Sequence, residues 1–192
     1  MIDWGSVDRE TLEQRLKCAT SRLRQAGYDA VWTLREPATR QLLSEALAEL
    51  GTPFSESHAR VLQMSDGAGC TFLAGPGEFP NLDIYGVQDL LRATASTRRL
   101  DNYAKPELPP SRIVHFASAG SGIFYIMDPD RPALASHEYA IVPVDYDEPY
   151  LWRTDFVPMC ESFGAWFNGV LNAFETDGAF LRKYNLTDFL AG

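Results

Sequence analysis

Cysteine is sparse in this chain: Cys18, Cys70 and Cys160 lie far apart, odd in number and without paired spacing. That argues against a disulfide framework and a zinc cluster, and it suits a reducing compartment, the cytoplasm. No apolar run is long enough to span a bilayer, so no membrane partner is expected. The opening Met1-Ile2-Asp3-Trp4 lacks the basic-then-apolar order of a signal peptide, which again points to the cytoplasm. Positive charge is short too. Lysine and arginine number 17 against 26 acidic residues, a net charge of −9. The deficit is uneven: residues 1–100 hold 11 basic and 13 acidic side chains, residues 101–192 hold 6 and 13. Phosphate contacts need clustered basic groups, so nucleic acid is a poor partner for the second half. A basic protein suits it better, although such charge can also serve solubility alone.

What is present is ordinary core material. With 45% hydrophobic residues, 192 residues suffice for one domain, 1–192. Leu12, Leu16, Ala19 and Leu23 recur at helical spacing over 7–26, with Ser6 placed to cap the start and Gly27 the end. A short strand is expected around 30–33. A second helix is expected from Pro37, burying Leu42, Leu43, Ala46, Leu47 and Leu50 and stopping at Gly51. Pro53 and Ser55 open a third, which carries Val61, Leu62 and Met64. Strands over 70–74 and 82–86 precede a helix over 87–95, with Leu90 and Leu91 inward. Residues 96–110 are polar and read as a surface loop. Tyr139 to Val144 reads as a strand at a sheet edge or near its own end, because Pro143 cannot donate to a ladder. Phe163, Trp166, Phe167, Val170, Leu171 and Phe174 form the apolar stripe of a last helix from about Glu161, packed on the sheet.

The chain is organised around Arg112 to Asp128. Two runs rich in β-branched and aromatic residues flank a short Ala/Ser/Gly segment, the pattern of an antiparallel pair with a tight connection. Ile123 to Met127 is apolar on both faces, which predicts a strand in the middle of a covered sheet. Gly120-Ser121-Gly122 lacks the Lys-Ser/Thr of a phosphate loop and the leading glycine of a nucleophile elbow, and a strand follows it instead of a helix. A turn is the better reading. A small hydrolase using Ser121 with His115 or Asp128 is the weakest of the functional alternatives. His58, His115 and His137 share no metal spacing, and Asp145-Tyr146-Asp147-Glu148 lacks the glycine and spaced oxygens of a calcium loop. No metal or other cofactor is expected.

The second half does offer a contact surface. Asp128, Asp130, Glu138, Asp145, Asp147, Glu148 and Asp155 surround Tyr146, Tyr150 and Trp152. Exposed aromatics anchor interfaces, and the charges around them steer and orient a partner. In the competing reading, Tyr150 and Trp152 pack inward and the acids only solvate.

Four stretches, in order, resemble the SMI1/KNR4 (SUKH) superfamily. Val61 to Gly69 is similar to its leucine-containing helix ending in S-[ND]-G-x-G, and Leu82 to Leu90 to its strand-to-helix segment around a Tyr-Gly pair. Phe116 to Gly122 with Phe124 to Asp128 is similar to its glycine hairpin, and Ser162-Phe163 with Phe167 to the opening of its C-terminal helix. The resemblance spans 40–175, leaving an N-terminal helical extension over 1–35 and a tail over 176–192. Two features depart from the pattern: Ala119 stands where the family often has an acid, and 96–110 is a long insertion. The resemblance implies an α+β fold, a mostly antiparallel sheet of about five to six strands with helices packed against it, here with an extra N-terminal helix. It implies no enzyme activity. Ser65, Gly67, Gly69, Tyr85, Gly86, Gly120 and Gly122 would be fold-defining, not catalytic. Its many bacterial members look like immunity proteins that bind and neutralise a cognate toxin, often a nuclease, which makes that the leading functional expectation for this chain. Fungal relatives look like scaffolds that connect signalling proteins, which supplies the second functional alternative.

Overall fold

The structure is a computed structural model and describes residues 4, 7–75, 81–104, 106–107, 109–120, 122–131, 137–145 and 160–175. The fold is α+β. Helix α1, Arg9–Gln25, buries Leu12, Leu16, Ala19 and Leu23 as its periodicity requires. Its cap is Asp8, whose carboxylate accepts the Thr11 N–H at 2.8 Å. Strand β1, Asp29–Leu34, leads to α2, Arg40–Leu50. The Thr39 hydroxyl caps α2 by accepting the Leu42 N–H at 3.1 Å, so Pro37 lies ahead of the helix and not in its first turn. The apolar face of α2 is narrower than expected. Ala46 and Leu50 are buried, Leu42 and Leu43 half-buried, and Leu47 is 42% exposed. Helix α3, Glu56–Met64, precedes β2, Ala68–Ala74, and β3, Leu82–Ile84.

Helix α4, Val87–Ala104, runs well past the expected end, through most of the stretch read as a loop. Its buried face changes chemistry half-way along: Val87, Leu90 and Leu91 give way to Thr94, Thr97 and Asp101. A polar inward face carries no hydrophobic period, so the second half of the helix is invisible to a hydropathy pattern. Strands β4 (Val114–Ala119), β5 (Ile123–Asp128) and β6 (Ala140–Asp145) and helix α5 (Phe163–Glu175) follow.

The six strands form one antiparallel meander in the order β1-β2-β3-β4-β5-β6. Strand β5 is therefore second from an end and not central, yet all its residues are buried. Tyr125 meets Trp166 of α5 at 5.1 Å between ring centroids, on the face where α1 and α3 also pack on α5. Phe124 and Ile126 point the other way and cluster with Ile113, Val142 and Val144. Strand β6 ends the order, in keeping with Pro143. Its neighbour-but-one Ile141 donates its N–H outward, to the Cys160 carbonyl at 2.8 Å. Alternation turns the imino nitrogen of Pro143 outward as well, so the missing donor costs the β5–β6 ladder nothing. Among the described residues, no helix is long and apolar enough to cross a membrane.

Candidate contact surface and the residues that frame it

The residues singled out around the two glycine motifs meet in one place. Ser65 follows α3, and its hydroxyl accepts the Arg35 N–H at 2.9 Å and lies 2.6 Å from the Gly67 carbonyl. Asp66 reaches across to α4, where its Oδ1 accepts the Val87 N–H at 2.7 Å and caps the helix. Gly67 and Gly86 are pressed together: a Cβ on Gly67 would lie 2.6 Å from the Gly86 nitrogen, and one on Gly86 would lie 2.4 Å from the Asp66 carbonyl oxygen. Tyr85 donates its N–H to the Phe116 carbonyl at 2.8 Å, tying the same turn to β4. Gly69 is different. It sits in β2 opposite Asp83, and a Cβ there would meet nothing closer than 3.9 Å. Gly120 and Gly122 close the β4–β5 hairpin, with Gly122 at φ +87°. Ser121 between them lies outside the described residues.

Among the described residues, the acids proposed as a contact surface differ in what they offer a partner. Asp128 is only 3% exposed. Its Oδ1 accepts the Asp130 N–H at 3.0 Å and its Oδ2 accepts Arg131 Nε–H at 2.8 Å. Burial raises its pKa, against the lowering effect of those bonds. It shapes the turn after β5 and offers nothing to a partner. Asp130 is paired with Arg112 at 2.7 Å, both more than half exposed, a pair worth about 0–1 kcal/mol. Glu138 is tied inward: it accepts the Ser57 N–H at 2.7 Å and the Ser57 hydroxyl at 2.9 Å, while that hydroxyl accepts the Gly164 N–H at 2.9 Å. It supplies the side-chain cap that Ser55 does not give α3, and it links α3 to α5. Glu138→Ala is therefore expected to cost about 1–2 kcal/mol in urea unfolding, whatever it does to partner binding.

Register separates the remaining acid from these. Asp128 pairs with Ala140 at one end of the β5–β6 ladder, and Asp145 pairs with Ile123 at the other. Five strand steps at roughly 3.3 Å put the two ends about 17 Å apart. Tyr146, Asp147, Glu148, Tyr150, Trp152 and Asp155 lie outside the described residues.

The two buried histidines are framework groups. His58 is fully buried on α3 with its ring centroid 4.6 Å from Phe163, 5.7 Å from Phe54 and 5.9 Å from Phe116. Neither ring nitrogen has a hydrogen-bond partner among the described residues, and burial drives the pKa down to about 3. His115 lies under α4 with Nδ1 2.9 Å from the Thr97 hydroxyl. That hydroxyl donates to the Ala93 carbonyl, so it accepts from Nδ1–H, and Nε2 has no hydrogen-bond partner among the described residues. Burial pushes the His115 pKa to about 4. Sequence reasoning missed Arg98, because its acceptors are mostly backbone carbonyls: Leu50 at 2.7 Å, Ile113 at 2.9 Å and Arg112 at 3.0 Å. It fastens α4 to the end of α2 and to the approach to β4.

No protein-family model matches the chain, and no curated protein matches its sequence.

Proposed function

We propose that this chain is a protein-binding module of the SMI1/KNR4 type, an immunity protein acting in the cytoplasm that binds and occludes a basic toxin. The observation that carries the reading is the convergence of Ser65, Asp66, Gly67, Tyr85 and Gly86 on one backbone crossing, stitched by caps and carbonyl bonds. Residues committed to such a contact are architecture. That use is the one the resemblance assigns them, and it leaves recognition to other parts of the surface. With Asp128 and Glu138 committed inward, the proposed contact region contracts to Asp130 and, from the end of β6 onward, Asp145, Tyr146, Asp147, Glu148, Tyr150 and Trp152. Occlusion suits a net charge of −9 facing a cationic cleft.

The test is co-expression with the product of an adjacent toxin gene. A stable complex, protection of the cells, and an association rate that falls as salt rises are the expected results. An adjacent toxin that neither binds nor is neutralised would sink the proposal.

A further inference from the structure

Strand β1 ends the sheet order, and among the described residues no strand lies along its outer side. Edge strands are normally blunted by lysine, proline, inward charges or a covering element. Here β1 reads Asp-Ala-Val-Trp-Thr-Leu, with no lysine, no proline and five consecutive residues suited to a strand or a packed face. Val31 is 40% exposed and Leu73, on the adjoining strand, 63%.

The direction of the free backbone groups follows from the register. Arg35, just past the strand, donates its N–H inward to the Ser65 hydroxyl and towards the Gly67 carbonyl. Thr33 and Val31 alternate with it and face β2, opposite Gly69 and Thr71. Leu34, Trp32 and Ala30 therefore turn their N–H and C=O groups outward.

We infer that β1 is a self-association edge, pairing antiparallel with β1 of a second copy about a two-fold axis at Trp32. In that register Trp32 opposes Trp32 of the partner subunit and Ala30 opposes Leu34 of the partner subunit. All the outward groups are used, in about six inter-strand hydrogen bonds. Charge favours the same register. Asp29, exposed, comes to stand opposite Arg35 of the partner subunit, and the symmetry repeats the pair at the other end. Arg35 is already held on that face by Asp89 at 2.8 Å and Asp83 at 3.9 Å, with 45% of its side chain exposed. Sliding the strands by two residues in either direction loses the charge match and leaves outward groups unpaired. Val31 then lies beside Thr33 of the partner subunit, and two six-stranded sheets become one. The interface is isologous, so it closes at the dimer. A single strand edge is a small interface, so association is expected to be weak and concentration-dependent.

The experiment has two arms, both on the full chain. Sedimentation velocity from low to high micromolar is expected to show the mass rising from 21.4 kDa towards twice that value. In a Cys18→Ser background, the V31C/T33C variant places thiols across the axis at a Cα separation of about 4.5 Å, within reach of a disulfide. Mild oxidation is expected to give a reducible covalent dimer. L73C, on an exposed residue one strand further out on each side, is expected to stay monomeric under the same oxidation. Asp29→Lys is expected to weaken association roughly five- to tenfold, by setting like charges opposite each other twice. A wild-type chain monomeric throughout overturns the inference. So does a dimer in which V31C/T33C fails to cross-link or Asp29→Lys has no effect. None of these readouts depends on a toxin, so they stand apart from the test of function.

Discussion

Gly67→Ala is expected to remove roughly 3–5 kcal/mol of stability, a large part of the 5–15 kcal/mol typical of a whole domain. Two costs add at this position. The backbone holds φ at +94°, where an L side chain is strained, and the new methyl carbon would sit 2.6 Å from the Gly86 nitrogen and 2.9 Å from the Ile84 carbonyl oxygen. All of these neighbours are backbone, so no side chain can swing aside to make room. Gly86→Ala attacks the same crossing from the turn between β3 and α4, at 2.4 Å from the Asp66 carbonyl oxygen. Relief there means moving Asp66, which unseats its carboxylate from the first amide of α4. Because both substitutions open one contact, the double variant is expected to cost clearly less than the sum of the singles. Gly69→Ala supplies the contrast. It lies in the same motif, but a Cβ there would make only ordinary van der Waals contact at 3.9 Å, and the substitution is expected to change stability by less than about 0.5 kcal/mol. Urea midpoints of the four variants check this, and a Gly67→Ala midpoint close to that of Gly69→Ala would refute the tight crossing.

The contrast between Gly67 and Gly69 also shows where sequence reading stops. A motif names residues that recur together but not which of them touch, and here a two-residue step separates a closed contact from an open one. Where burial is apolar, the pattern is readable. The stripes of α1 and α5 and the two-faced burial of β5 follow directly from period and composition. Where burial is polar, it fails. Thr94, Thr97 and Asp101 face inward without a hydrophobic period, and Arg98 spends its donors mainly on carbonyls that every residue possesses. Asp128 and Glu138 are misjudged for a third reason: both are tied inward. Closeness in sequence across a hairpin says little about closeness in space until the register is known. Asp128 and Asp145 flank the same two strands and lie at opposite ends of them.

Acid is expected to destabilise this protein from about pH 6.5 downward, above the ordinary carboxylate range, through His58 and His115. Both side chains are neutral in the fold and charged in the unfolded chain at mildly acidic pH. Their folded pKa values, about 3 and about 4, lie below the ordinary value of 6.5. A base whose folded pKa is lowered costs nothing above the unfolded pKa. As pH falls below about 6.5 the unfolded chain takes up a proton that the folded one refuses, so stability declines until the folded pKa is reached. At about pH 4.5 the penalty comes to about 2.6 kcal/mol for each histidine, roughly 5 kcal/mol together. That equals the whole stability of a marginal domain. Asp8 and Asp89 have lowered pKa values, Asp8 through bonds from Thr11 and Asp89 through its bond from Arg35, so they also lose stabilising charge in acid, but below the ordinary carboxylate range. Asp83 and Asp128 act in the reverse sense, because burial raises their pKa values. The interval from about pH 6.5 to 4.5 therefore belongs mainly to the histidines. His58→Leu keeps similar volume among Phe54, Phe116 and Phe163 and removes two buried nitrogens that have no partner among the described residues. Relative to its value at pH 7, the stability of that variant at pH 4.5 is expected to fall by about 2.6 kcal/mol less than that of the wild type. Urea unfolding at the two pH values measures the difference. Parallel declines in the two proteins would mean that His58 accepts a proton without unfolding, and its burial among Phe54, Phe116 and Phe163 would be wrong.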